Sequence, residues 1–286
     1  MKKAAGLLAV DVDGTLITDH GCITDKVYDA LEKAVSFNWE VVIASGRTFF
    51  AAKPIIEKLP FLRYAVMSNG ACIMDVRDSD IVHLERLSST VVKDVIRIVR
   101  ECDAIPALYD SNIENQSIYY DTLDGACEHF EWYIKNDPRC VRVENVENHT
   151  GDVIQIGMVA ARDVIFSVKD ALKEIEATVM TLPFESIRLG GKTSEYWFIQ
   201  VVGKEARKNL ALRRIAELLK IPEGRLVAVG DNYNDCDMIE DADIGVAMGN
   251  APEEVKRLAK VVVGSNNHSG LAQVVDEVIL SGKYFS

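Results

Sequence analysis

Two aspartates, Asp11 and Asp13, stand one residue apart directly after an apolar run, in the stretch GLLAVDVDGTLIT. Like charges this close repel, and a carboxylate at the end of a greasy strand is costly to bury without a partner. A divalent cation answers both problems, and carboxylate oxygens suit a hard one such as Mg²⁺. A second acidic group, GDNYNDCDMI, follows another apolar run and carries Asp231, Asn234 and Asp235. Asp11 and Asp231 together make an oxygen site for one cation, which would also clamp a phosphate oxygen. Asp11 is then free to attack phosphorus and form an aspartyl-phosphate. Asp13 can protonate the leaving oxygen and later deprotonate a water. Gly14 permits the tight turn that brings Thr15 and backbone N–H groups toward the phosphate. Ser45, in the stretch IASGR, can donate a hydrogen bond to a further phosphate oxygen, and Lys208 can neutralise the remaining charge.

These residues need a scaffold that gathers them. Residues 6–10 read as a buried strand, and 24–38 as a helix with Val27, Ala30, Leu31, Ala34 and Val35 on one face and Thr24 as its N-cap. The β-branched run at 40–45 is a strand covered on both faces, TFFAAKPIIEKL is helical with a kink at Pro54, and 64–70 is a third strand. Strand, helix, strand, helix, strand is the order of a parallel sheet with right-handed crossovers. The order resumes with a helix over 206–220, strands RLVAVGD and DIGVAM, a helix started by Pro252 and a last strand KVVV. In such sheets ligands bind beyond the carboxyl ends of the strands. There stand Asp11, Asp13 and Thr15; Ser45, Gly46 and Arg47; Ser68, Asn69 and Gly70; and Asp231. Between about His83 and Lys192 the order changes, and several strands alternate polar with apolar residues as on an antiparallel sheet with one wet face. The chain therefore reads as an α/β core over 1–83 and 193–286 with an α+β domain inserted at 84–192.

The totals narrow the partners. The chain has 286 residues, 48% hydrophobic, enough for a large domain or two ordinary ones. Acidic residues outnumber basic ones 44 to 32, a net charge of −12 that disfavours nucleic acid and anionic membranes, which reward clustered Lys and Arg. The six cysteines form no C-x-x-C pair and read as free thiols of a reducing compartment. No run approaches the roughly 18 apolar residues of a membrane span. The start, MKKAAGLLAV, has too short an apolar stretch for a signal peptide and runs straight into acids. The expectation is a cytoplasmic protein, a monomer or weak homo-oligomer.

The motifs together resemble the haloacid dehalogenase-like (HAD) superfamily of phosphohydrolases, and within it the Cof-type, class IIB members with a large α/β cap. DVDGTL is similar to the family's first motif, IASGR to its second, GDNYNDCDMI to its fourth, and VAMGNAPEEVKRLA to the stretch that follows. The third motif has two candidates, Lys204 and Lys208. Lys208 fits better, because its interval to Asp231 and the phase of the helix after it resemble the family's. Asn209 stands where that motif has Gly. The resemblance implies a Rossmann-like core with an inserted C2-type cap that closes over the rim. It implies Asp11 as nucleophile and Asp13 as general acid/base. Mg²⁺ would be held by the Asp11 carboxylate, the Asp13 backbone carbonyl and Asp231, supported by Asn234 and Asp235. Thr15, Ser45, Gly46 and Lys208 would bind the phosphate, with Arg47 supporting.

The implied activity is Mg²⁺-dependent hydrolysis of a small phosphorylated metabolite, with sugar phosphates first. Two rivals stand beside it: phosphoryl transfer of the phosphomutase type, and a non-catalytic ligand sensor on the same scaffold. A dinucleotide site fails because no G-x-G-x-x-G follows the first strand. Other residues read as structural: Asn69 as shaping its turn, Asn250 as an N-cap, Lys204 as a surface charge, and Asp237 and Asp241 as solvated helix-end acids. Phe130, Trp132 and Tyr133, at helical spacing, read as core.

Overall fold

The computed structural model describes residues 4–183 and 195–285. The chain forms two compact units, one from residues 1–83 with 206–286, the other from 84–205.

The first unit is built on a sheet in the order β14-β13-β12-β1-β2-β3-β4-β5. Its strands are β1 (Gly6–Val10), β2 (Trp39–Ala44), β3 (Tyr64–Met67), β4 (Cys72–Asp75), β5 (Asp80–Leu84), β12 (Leu226–Gly230), β13 (Ile244–Ala247) and β14 (Val261–Val262). From β14 to β3 every pairing is parallel. β1 is buried along its whole length, which is why it reads as an unbroken apolar run without alternation. Helix α1 (Asp25–Ser36) buries Val27, Ala30, Leu31 and Ala34, and the Thr24 side chain accepts from the Val27 N–H. Helix α2 (Phe49–Ile56) carries Pro54 inside it.

Parallel register aligns the strand ends. Val10 lies beside Val229 on one side and Ile43 on the other, so Asp11, Asp231 and Ser45 all emerge at one rim. The third strand is shorter than its sequence run: Ser68–Gly70 turn sharply, and β4 pairs back antiparallel on β3. The β4–β5 extension is the part of this sheet that the sequence reading does not contain.

The inserted unit carries α3 (Ser89–Glu101), β6 (Ala107–Asp110), β7 (Ile118–Tyr120), α4 (Glu128–Asn136), β8 (Cys140–Arg142), β9 (Val153–Ala161), α5 (Arg162–Ala171), β10 (Ala177–Pro183) and β11 (Tyr196–Gly203). Its sheet runs β10-β11-β9-β6-β7-β8, antiparallel except for β7 with β8. Val95, Ile96 and Val99 of α3 and Ile165 and Val168 of α5 pack with Ile156, Met158, Ile199 and Val201 of this sheet. The expected return to the core at 192/193 lies outside the described residues, and the strand after it belongs to the insertion. Tyr196–Gly203 pairs with both β9 and β10, so the unit boundary falls at Ala206.

After the insertion come α6 (Lys208–Leu219), α7 (Cys236–Asp241) and α8 (Glu253–Leu258), then α9 (Gly270–Gln273), which runs into a π-helical segment Val274–Leu280. Among the described residues no helix is long and apolar enough to cross a membrane.

Candidate active site

Asp11 leaves β1 with its carboxylate almost wholly buried. The Lys208 ammonium, at the first position of α6 and itself buried, lies 2.6 Å from Asp11 Oδ1 and 2.6 Å from Asp235 Oδ1. Asp235 is further engaged: its Oδ2 accepts the backbone N–H groups of Asp231 and Asn232, each at 3.0 Å. Thus Asp235 anchors the turn that displays Asp231 and also grips Lys208. Lys204 is exposed and pairs with Glu176 in the inserted unit, so Lys208 is the lysine at the rim.

Asp231 leans across Gly14. That residue has φ +77°, and a Cβ placed there would come within 2.3 Å of Asp231 Oδ2, so glycine is required by both backbone and space. The Thr15 hydroxyl donates to Asp231 Oδ1 at 3.0 Å. Asp13 points elsewhere: the Arg47 guanidinium holds both its oxygens, at 2.8 and 2.6 Å, and also donates to the Ala51 carbonyl. Ser45 is buried and its Oγ accepts the Arg47 N–H at 3.1 Å.

The next loop is strapped to this one. Ser68 and Asn69 both hold left-handed backbones, at φ 48° and 53°, in buried surroundings. Their N–H groups donate to the Arg47 and Ser45 carbonyls. The Asn69 Oδ1 accepts from Asn234 Nδ2 at 3.2 Å, so Asn69 shapes its turn and ties it to the acidic loop. Asn69 also lies close enough to Gly46 that a Cβ there would meet its amide at 3.0 Å.

The electrostatics are those of a site short of positive charge. Burial, and then the Asp235 charge, push the Asp11 carboxyl well above the usual range against the pull of Lys208. Burial and the Asp235 charge also push Asp231 up to about 7. Burial disfavours the Lys208 ammonium, but the Asp11 and Asp235 carboxylates outweigh it and hold Lys208 above its ordinary value. With all three carboxylates ionised, one ammonium leaves a net charge of two minus in a buried place, which is why Asp11 and Asp231 are held back from ionising. Oxygens of Asp11, Asp231 and Asp235 all lie within 4.8 Å of one another. The donor set and its charge deficit fit one hard divalent cation. Asp235 is held by the Lys208 ammonium and two backbone N–H groups, whereas among the described residues Asp231 meets only two uncharged side-chain donors and Asp11 only Lys208, which makes Asp11 and Asp231 the freer pair for a cation.

Two expectations change. Asn250 is not a helix cap, because Pro252 holds that position. Its Nδ2 instead donates to the Gly14 carbonyl at 2.9 Å and to Asp231 Oδ2 at 3.2 Å. Nothing local in MGNAP signals this; only the pairing of β12 with β13 brings it there. The two helix-end acids are not freely solvated. Asp241 pairs with Arg213, and Asp237 is partly buried, its Oδ1 accepting the Met238 N–H.

A family model for haloacid dehalogenase-like hydrolases matches residues 8–275. The putative phosphatase YxeH of Bacillus subtilis (strain 168) is 28% identical over 288 residues, spanning 96% of this chain and 98% of its own length. The 5-amino-6-(5-phospho-D-ribitylamino)uracil phosphatase YcsE of the same organism is 27% identical over 275 residues, 96% of each chain. Among solved structures, the HAD subclass IIB sugar phosphatase BT4131 superposes with a TM-score of 0.75 at 20% identity, over 95% of this chain and 98% of that one. That likeness is one of fold.

Proposed function

Because the chain belongs to the haloacid dehalogenase-like hydrolase family, we propose that this phosphohydrolase is a Mg²⁺-dependent phosphatase of small phosphorylated metabolites, sugar phosphates foremost. The observation that carries the reading is the buried Lys208 bridging Asp11 and Asp235 beside Asp231, at the end of the parallel strands.

In this reading an Asp11 oxygen attacks phosphorus, the P–O bond to the alcohol breaks, and Asp13 gives its proton to the departing oxygen. Asp13 then takes a proton from water, the water oxygen attacks phosphorus, and the bond to Asp11 breaks to release phosphate. Lys208, Ser45 and the Gly46 turn meet the phosphate charge, whereas the Thr15 hydroxyl, expected there, is engaged by Asp231 Oδ1. Asp13 must first exchange its bonds to Arg47 for the substrate and take up a proton from solvent, which frees that guanidinium to face the phosphate. Mg²⁺, held by the Asp11 carboxylate, the Asp13 carbonyl and Asp231, would supply Lewis-acid stabilisation of the charge on the phosphoryl oxygens. The inserted unit corresponds to the class IIB cap and would choose the substrate. The free cysteines support placement in the reducing cytoplasm.

The test is phosphate release from a panel of phosphorylated metabolites, with Mg²⁺ and with EDTA, comparing the natural protein with Asp11→Asn. The panel includes 5-amino-6-(5-phospho-D-ribitylamino)uracil, the compound in one relative's name. Release that needs Mg²⁺ and vanishes in the isosteric variant, a loss on the order of 10⁴-fold or more, is the expected result. Equal release by both proteins would remove Asp11 from the chemistry. No release from any monoester would favour phosphoryl transfer or ligand sensing.

A further inference from the structure

Asp231 is gripped from both sides by groups that carry no charge. Thr15 donates to Oδ1 at 3.0 Å and Asn250 donates to Oδ2 at 3.2 Å. The same Asn250 amide donates to the Gly14 carbonyl at 2.9 Å, one residue beyond Asp13. Asn250 is itself fixed, because its Oδ1 accepts the Asn266 N–H at 3.0 Å. Asn266 in turn donates its side-chain amide to the Ile17 carbonyl and to Asp19 Oδ1, at 3.1 and 3.0 Å. A relay of amides therefore fastens the loop after β1 at both ends, at Gly14 and at Ile17–Asp19, and joins it to the acid of the loop after β12.

A neutral grip suits this place. A lysine or arginine on Asp231 would fill the charge deficit that a cation is meant to fill, whereas an amide and a hydroxyl orient the carboxylate and leave that deficit standing. Groups of this kind, which hold a ligand and not the metal, typically govern about 10–100-fold of metal affinity.

We infer that Asn250 and Thr15 are positioning residues that clamp the Asp231 carboxylate, and that Asn250 fixes the Gly14 carbonyl with the same amide, so that the acid cluster is prearranged for a divalent cation. The inference rests on the metal site proposed above. It moves Thr15 from the phosphate to Asp231 and gives Asn250 a part beyond the shape of its loop.

The experiment is calorimetric titration of the full-length, metal-free protein with Mg²⁺ alone, alongside thermal melting of the same metal-free samples. Asn250→Ala is expected to weaken Mg²⁺ roughly tenfold or more while kcat recovers at saturating Mg²⁺. Thr15→Val, which keeps the shape of the buried side chain, covers the case in which Asn250→Ala does not fold. It is expected to weaken Mg²⁺ in the same way and leave KM for substrate, at saturating Mg²⁺, near its natural value. A lower melting temperature with unchanged Mg²⁺ affinity would make Asn250 a loop brace and overturn the clamp. A raised KM with unchanged Mg²⁺ affinity in Thr15→Val would return Thr15 to the phosphate. A natural protein that takes up no Mg²⁺ would instead overturn the metal site itself, and the clamp with it.

Discussion

At the scale of single residues, the site turns on where one positive charge is buried. Lys208 sits between two carboxylates with no access to water, and removing it leaves Asp11 and Asp235 facing each other uncompensated. Breaking a buried ion pair from one side typically costs about 3–5 kcal/mol, because the abandoned charge is worse off than the pair was. Lys208→Ala is therefore expected to lose stability of that order in urea denaturation with EDTA present, and to lose phosphatase activity. Lys204→Ala, which removes an exposed charge paired with Glu176, should stay within about 0.5 kcal/mol. Equal losses in the two variants would mean the third motif is misplaced. The acids and the lysine were legible in the sequence because their chemistry is carried by residue type at a strand end. Asn250 was not, because an Asn two residues before a helix-starting Pro reads equally well as a cap. Its work is defined by Gly14, at the other end of the chain, and by Asp231, on the loop after another strand.

At the scale of elements, the parallel strands could be read because burial on both faces leaves continuous β-branched runs, and α1 could be read because its apolar spacing matches one helical face. What escaped were elements whose partners lie in the fold and not in the neighbouring sequence. Tyr196–Gly203 is apolar enough for either sheet, and only its pairing with β9 and β10 assigns it to the insertion. The β3–β4 hairpin likewise depends on a clasp at its base. Arg63, just before β3, donates to Asp75 Oδ2 at 2.8 Å, and the N–H groups of Arg77 and Asp78 donate to Asp75 Oδ1. Burial pushes the Asp75 carboxyl upward, but these bonds outweigh it and hold it below the usual range. A carboxylate depressed on folding stabilises in full above its unfolded value, near about 3.9, and that contribution is lost as pH falls through the folded value. The natural protein should therefore exceed Asp75→Asn in urea midpoint at pH 6, and the gap should narrow below about pH 4. A gap that stays constant down to pH 3 would show that the clasp does not depend on the charge of Asp75.

At the scale of the whole molecule, every residue assigned to the chemistry comes from the first unit: Asp11 to Arg47 before the insertion, Lys208 to Asn250 after it. The insertion brings its own apolar core, made by α3 and α5 against the antiparallel sheet. The first unit has another, in which Leu7 and Ala9 of β1 pack with Leu212 and Ile215 of α6. A ligand that binds only the folded site stabilises the structure that holds the site, by about 2.7 kcal/mol at a hundred times its Kd. The acid cluster is divided between the two chain segments that make the first unit, so a cation there fastens segments that the insertion separates in sequence. Hydrogen exchange with Mg²⁺ and with EDTA should therefore show added protection concentrated in the first unit, strongest in β1, β12 and the start of α6. Amides of β6, β9 and β11 should exchange at nearly the same rate in both conditions. Equal protection across both units would mean that they open together as one cooperative block. Protection confined to the insertion would place the cation somewhere other than the cluster of Asp11, Asp231 and Asp235.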